Sequence, residues 1–333
     1  MRTPFLLIVF LGLFTVELLS QTETSEGPVT AANFSTIETP LIQENTAAVV
    51  LSDLGDIKVG STDWFWFGVK FSQKKRIRLL NKKAFNLATV SVYLYGSDKL
   101  DSLNASTYNL EDGRVKEVSL SKDELYQEKL GTGVTRIRFT FPAVREGSII
   151  EYSIFLASNR VSMLPDWRFQ HRDIPCLYSR LRVATPEVLR YLITTRGIDS
   201  IRSEVGETTN EVVKIGSDSL KKGTRHQTWT ARNIPAFSET SFIHSPSDYL
   251  DRIEFFLVQA YDGMNGMSRM TWQSVDNDLM SIESFGRAFL PERNRKLRSV
   301  VEQQTVLAGS PLESAKMLYA YVRDNFVCTG NDG

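Results

Sequence analysis

From about residue 45 to residue 260 the chain alternates apolar and polar side chains: Ile137, Phe139 and Phe141 are separated by Arg138 and Thr140, and Ile150, Tyr152 and Ile154 by Glu151 and Ser153. A period of two sends successive side chains to opposite faces, so each run predicts a strand with one face buried. The same reading predicts strands at 48–51, 64–71, 89–95, 114–120, 181–184, 190–195, 211–215, 226–231 and 253–258, with Gly, Pro, Asn and Asp between them. There is no regular strand–helix alternation. The expected fold is therefore mainly β, a large antiparallel β-sandwich-like region over residues 45–260.

The period changes after Gly266. Trp272, Val275, Leu279 and Ile282 fall at helical spacing, and a second amphipathic stretch covers 291–307 with Leu297, Val300 and Val301 on one face. A third helix has its start written in the sequence: Ser310 caps it, Pro311 suits the first helical position and Glu313 completes a capping box. Its stripe is Ala315, Leu318, Tyr319, Val322 and Phe326, and the sequence stops at Gly333, so the helices have little of their own to pack against. Residues 261–333 are expected to be a short α-helical segment that makes up half a domain.

At the other end, the apolar run from Phe5 to Val16 follows Arg2 and stops at Glu17, short of the ~20 residues a bilayer span requires. Residues 1–20 read as a cleavable signal peptide with the cut near Ser20 and Gln21. No cysteine near position 21 offers a lipid anchor, so the expected location is periplasmic or secreted, with no transmembrane span. Residues 21–44 have the composition of a disordered leader.

Charge and cysteine content narrow the function. Lys plus Arg is 39 and Asp plus Glu is 39, which lacks the basic excess that draws in phosphate backbones, so no nucleic-acid partner is expected. The two cysteines, Cys176 and Cys328, leave no room for a disulfide framework or a cysteine zinc site, and both read as small apolar side chains. His171, His226 and His244 lack metal-ligand spacing, and Gly131-Thr132-Gly133 reads as a turn instead of a phosphate loop. No metal, cofactor or catalytic residue is expected. The basic run Lys74, Lys75, Arg76, Arg78, Lys82 and Lys83 reads as a solvated strand face. Trp64, Phe65, Trp66 and Phe67 are the candidate ligand-binding stretch: Trp64 and Trp66 share one face of the expected strand, where exposure would suit stacking on sugar rings and burial between sheets is the competing reading.

Several strings resemble a bacterial domain of unknown function that precedes transglutaminase-like cores in large exported proteins. They are Phe141-Pro142-Ala143-Val144 leading to Gly147-Ser148-Ile149-Ile150-Glu151-Tyr152, then Asp166-Trp167-Arg168-Phe169-Gln170 with Pro175 and Tyr178, then Trp229 followed by Asn233-Ile234-Pro235-Ala236. The stretch 315–326 is similar to the helix that opens the transglutaminase-like core, a resemblance that implies residues 261–333 are the start of a truncated α+β transglutaminase-like domain. In such cores the catalytic cysteine, histidine and aspartate come later in the chain, at positions this sequence does not contain. The resemblance implies an exported, non-catalytic accessory module whose partner is a missing C-terminal transglutaminase-like core, and which binds a polymer substrate or envelope component. Two other readings stay open: the N-terminal fragment of a cysteine-dependent transglutaminase-like or peptidase-like enzyme, and a glycan-binding module.

Overall fold

The structure, a computed structural model, describes residues 27–327 apart from 66–67, 132, 198–200, 207, 210–211, 216–217, 222, 238–244, 246–248, 262–266, 270, 284 and 290–294. The chain divides into two units, Met1–Met267 and Ser268–Gly333.

The first unit is mainly β, as the alternation predicts. Strands β1 (Ala48–Gly60), β2 (Gly68–Leu79), β4 (Lys99–Glu111), β5 (Arg114–Ser119), β8 (Ile149–Ser158), β10 (Cys176–Pro186), β12 (Arg202–Val205) and β15 (Thr224–Ile234) form one sheet in the order β12-β15-β10-β1-β2-β8-β4-β5. Its pairs are antiparallel except β1 with β10, which run parallel and make the sheet mixed where the sequence pattern led us to expect antiparallel pairing throughout. Strands β3 (Thr89–Tyr95), β6 (Tyr126–Lys129) and β7 (Val134–Thr140) form a three-stranded sheet in the order β3-β7-β6. Strands β11 (Leu189–Arg196) and β16 (Arg252–Tyr261) pair in a further sheet, to which β9 (Trp167–Arg168) adds along β16. Strands β13 (Val212–Ile215) and β14 (Asp218–Lys221) make a separate hairpin.

Both smaller sheets bury apolar side chains against one face of the large one. Phe139 of β7 meets Tyr152 of β8 edge to face at 6.3 Å, and Phe255 of β16 meets Trp229 of β15 at 5.8 Å. Val92, Ile137 and Phe139 from one cover and Leu189, Ile253 and Phe255 from the other join Val50, Ile57, Ile77, Ile150, Ile154 and Leu181 in a single core. The opposite face of the large sheet is polar. There Arg76, 1 % exposed, lays its guanidinium on Glu151 at 2.6 and 2.7 Å and donates to the Gly27 carbonyl at 2.7 Å. Arg78 donates to the carbonyls of Asn33, Phe34 and Ser35, at the end of a 3-10 turn over Ala31–Phe34. Residues 27–35, which composition places in a leader outside the fold, thus lie on this face, held by two arginines of β2.

The strings that carry the family resemblance are structural pivots. Ala143 and Gly147 have φ of 52° and 82°, and the Ser148 hydroxyl accepts from Arg145 N–H at 2.9 Å while donating to Asn109, which closes the β7–β8 connection. Gln170 donates to the Pro235 carbonyl at 3.2 Å, tying the second string to the third.

In the second unit, α1 (Trp272–Ser281), α2 (Arg295–Thr305) and α3 (Pro311–Asn325) follow the predicted helical period. Ser310 caps α3 by accepting from Glu313 N–H at 3.2 Å, but the Glu313 carboxylate accepts from Gly309 N–H at 2.7 Å, one residue before the capping-box position. No residue of α3 is buried. Among the described residues, no helix is long and apolar enough to cross a membrane.

Candidate functional site

A polar row crosses four neighbouring strands on the largely apolar inner face of the large sheet. Tyr152 of β8 pairs with Lys75 of β2, Lys75 with Asp53 of β1, and Asp53 with Ser179 of β10. A β-bulge in β1 between Val50 and Ser52 creates this row. It inserts one residue, so inward positions shift phase from Ala48 and Val50 to Asp53, Gly55 and Ile57. On β2 the matching inward positions are Phe71, Gln73, Lys75 and Ile77.

A strap formed by residues 160–175 crosses above this row. Trp167 stands over Gly55, where an added Cβ would lie 2.4 Å from the indole Cζ3, and its N–H donates to the Ser179 hydroxyl at 3.0 Å. The strap backbone is pinned on both sides: Phe169 N–H donates to the Asp251 carbonyl at 2.9 Å, and Phe237 N–H to the His171 carbonyl at 3.0 Å. These bonds bring the His171 ring over the charge pair. Its Nε2 lies 3.4 Å from Asp53 Oδ2, and Lys75 Nζ lies 3.3 and 3.4 Å from its two nitrogens. Lys75 Nζ is 2.8 Å from Asp53 Oδ2, and Gln73 donates to Asp53 Oδ1 at 2.7 Å.

The charges follow from this packing. Burial alone would raise the Asp53 carboxyl, but the Lys75 ammonium and the His171 ring outweigh it and hold it at about 2. Burial pushes His171 below its ordinary value, and the Lys75 charge adds to that, so the ring is neutral at physiological pH. Burial acts against the Lys75 ammonium, yet Asp53 keeps it charged and raises its pKa. Burial pushes the neighbouring Tyr152 phenol up to about 12, and with the Asp53 charge it pushes the Cys176 thiol up. Cys176 is fully buried with its Sγ 3.5 Å from the Tyr178 carbonyl, which makes it a packed thiol and no nucleophile.

Two cavities open beside the row, sharing Phe71 and Asp166 in their linings. The polar lobe, about 430 Å³, is bounded by Asp53, Gln73, Lys75, Arg168 and His171. The aromatic lobe, about 570 Å³, is bounded by Val69, Leu156, Met163 and Leu164 and by Tyr93 and Tyr95 of β3. Arg160 stands on its rim, 5.3 Å from the Tyr95 ring centroid and paired with Asp98 at 2.7 Å. Together the lobes make a groove with an apolar, aromatic end and a hydrogen-bonding end.

The sequence-derived candidates lie elsewhere. The expected strand at 64–71 begins at Gly68 instead, and Trp64 sits in a bend before it, 56 % exposed. Its indole N–H bonds the Asp101 carboxylate and Lys99 Nζ lies 5.6 Å from its ring centroid. Trp66 lies outside the described residues, as do His244, Cys328 and the expected signal peptide at 1–20. His226 bonds the Thr209 hydroxyl at 3.0 Å. Among the described residues, no group of three or more His, Cys, Asp or Glu is arranged to hold a metal ion. The β2 part of the basic run is no solvated face either: Lys74 and Arg76 bind Glu151 and Lys75 points into the core, while Lys82 and Lys83, beyond the strand, are exposed. The missed site had one signal in the sequence. That signal was only an acidic residue close after the predicted strand at 48–51, and the half-buried Asp56, three residues on, looks the same in the sequence.

Comparison with known proteins gives three results. The model of a domain of unknown function, DUF3857, matches residues 68–238. No curated protein matches the chain. A crystal structure from Parabacteroides distasonis, described as a "putative protease", matches with a TM-score of 0.59 and 11 % identity, covering 84 % of this chain and 50 % of that one. The chain therefore spans half the length of that solved structure, and at this identity the likeness concerns the fold alone. Native yeast LTA4 hydrolase, at a TM-score of 0.25 and 9 % identity over 83 % of this chain and 39 % of that one, carries no argument.

Proposed function

The chain belongs to the DUF3857 domain family, and from that premise we propose that it is an exported, non-catalytic accessory module that precedes a transglutaminase-like core and holds a polymer substrate or envelope component in the groove between the strap and β3. The observation that carries this reading is the groove itself: an aromatic lobe continuous in its lining with a polar lobe whose buried charges, Asp53 and Lys75, are already paired with each other. Aromatic side chains beside fixed hydrogen-bonding groups suit binding of a ligand with an apolar face and a polar edge. The Cys176 thiol is sealed in the core and burial raises its pKa, so it offers no nucleophile to a ligand in the groove.

The test is retention of the chain on purified peptidoglycan and on soluble peptides. We expect binding that the double variant Tyr93→Ala/Tyr95→Ala weakens at least fivefold, since both rings are exposed and removing them spares the core. Binding unchanged in that variant, or none to either material, overturns the proposal. Peptide-bond hydrolysis or acyl transfer by the purified chain that disappears in Cys328→Ser would support the rival reading of an enzyme fragment. The glycan-binding reading has its own observation, the exposed Trp64 ring steadied by Asp101 and Lys99, and Trp64→Ala separates it from the groove.

A further inference from the structure

Strand β3 is an edge of its sheet, and the register shows which backbone groups it turns outward. Phe141 N–H donates to the Ala88 carbonyl at 2.8 Å, and Gly96 N–H to the Gly133 carbonyl at 2.6 Å. In an antiparallel ladder the residues facing the partner alternate, so Val90, Val92 and Leu94 bond to β7, while Thr89, Ser91, Tyr93 and Tyr95 face the outer edge; there Thr89 N–H donates to the Asn86 carbonyl and Asp98 N–H to the Tyr95 carbonyl, which leaves Ser91 and Tyr93 to present N–H and C=O freely. Two contacts agree with this phase. The Thr89 and Thr140 hydroxyls meet at 3.0 Å, as side chains do across a non-hydrogen-bonded pair, and the outward N–H of Tyr95 is taken by the Asp98 carboxylate at 3.0 Å. Asp98 and the rings of Tyr93 and Tyr95 line the aromatic lobe, so this edge borders the groove.

The composition of this edge sets it apart. Exposed edges are templates for pairing with another chain, and proteins blunt them with charge or proline. Among the described residues, the edge strands β5, β6, β11 and β12 each carry Arg, Lys or Glu, whereas β3 reads Thr-Val-Ser-Val-Tyr-Leu-Tyr, with no charge and no proline. An unguarded edge beside a side-chain pocket is the arrangement for strand addition: main-chain bonds supply affinity, and the pocket reads alternate side chains.

We propose that the free edge of β3 receives an extended peptide as an added strand, bonded to the backbone of Ser91 and Tyr93, with an apolar side chain of that peptide entering the aromatic lobe. This rests on the groove being a binding site, and it narrows the ligand to polypeptide. A glycan lacks donors and acceptors repeating at strand spacing. Charge narrows it further. Asp166 is exposed, lines both lobes and has no ion-pair partner among the described residues, which favours a cationic residue next to the apolar one.

The probe is a fluorescently labelled, end-blocked octapeptide of alternating valine and lysine, read by anisotropy against the whole chain. In the variant Ser91→Pro the lost N–H belongs to the free edge, so the β3–β7 ladder stays intact. We expect at least tenfold weaker binding in this variant, with the melting temperature of the protein within a few degrees of the parent. Against the unaltered protein, peptides N-methylated at every second residue should split by phase: one phase binds as the parent does, the other loses binding at least tenfold. Equal affinity for both phases, together with unchanged binding by Ser91→Pro, overturns strand addition. If Tyr93→Ala/Tyr95→Ala still abolishes binding in that case, the groove survives as a site without main-chain pairing. Failure of the probe to bind, with a concentration-dependent dimer that Ser91→Pro dissociates, would assign the edge to a second copy of the chain and also overturn the proposal.

Discussion

Replacing Lys75 with methionine should remove more stability than any other single change in the polar row. The substitution keeps the length of the side chain and deletes its charge, leaving Asp53, 1 % exposed, with Gln73 at 2.7 Å and the His171 ring at 3.4 Å as its remaining partners. Removing one member of a buried ion pair costs about 3–5 kcal/mol, because the other charge stays buried without compensation. The electrostatics agree in direction: the Asp53 carboxyl falls from 3.8 to about 2 in the fold although burial opposes it, with Lys75 the largest favourable contribution. Urea unfolding followed by the fluorescence of the buried Trp167 and Trp229 measures the loss directly. Asp53→Asn alone should also be costly, by stranding the ammonium. The double variant Lys75→Met/Asp53→Asn removes both charges and should lie within about 1 kcal/mol of the parent, because replacing a whole buried pair is often neutral. That pattern is a coupling of at least ~2 kcal/mol. Additive losses in the double variant, or a loss below about 1 kcal/mol in Lys75→Met, would refute the reading of the row as a mutually dependent charge pair.

The remaining predictions concern pH, packing, the N-terminal segment and the helices. Burial and then Lys75 hold His171 below 6.5, so the unfolded chain binds that proton more readily and stability should decline as pH falls through 6.5, with a further loss from Asp53 between 3.8 and about 2. Thermal melts from pH 8 to 5 should show the first decline and His171→Gln should flatten it; a flat parent profile contradicts the assignment. Gly55→Ala places a Cβ 2.4 Å from the Trp167 ring and should cost about 1–3 kcal/mol by overpacking, with a shift in tryptophan emission as the indole is displaced. Arg78→Ala deletes the donors to Asn33, Phe34 and Ser35 and should speed proteolytic cutting within residues 27–39 while cutting elsewhere stays constant. In α3 Tyr319 and Val322, and Phe326 just past its end, are each more than half exposed, so the amides of α3 should exchange far faster than those of β7 and β8; equal protection would show that its stripe is covered in solution.

Alternation alone determined the class of this fold. Ile137 and Phe139 are buried while Arg138 between them is exposed, because a pleated strand with one wet face admits no other arrangement. Helical spacing after Gly266, with Ser310 as a cap, likewise placed α1 and α3, since caps and stripes are local matters. The phase of β1 was not local. Reading outward from Ala48 and Val50 with strict period two turns Ser52, Leu54 and Asp56 inward, and only the bulge between Val50 and Ser52 exchanges them for Asp53, Gly55 and Ile57. Whether that exchange is tolerable depends on a cation on the next strand, a glycine that makes room for an indole and a histidine delivered by a strap about 120 residues away in sequence. Local propensity carries no trace of such partners. The basic run of β2 shows the same division: its positive charge is plain in the sequence, but the sheet sends Lys74 and Arg76 to Glu151 on one face and Lys75 to Asp53 on the other, because successive strand residues face opposite ways and each finds its own carboxylate.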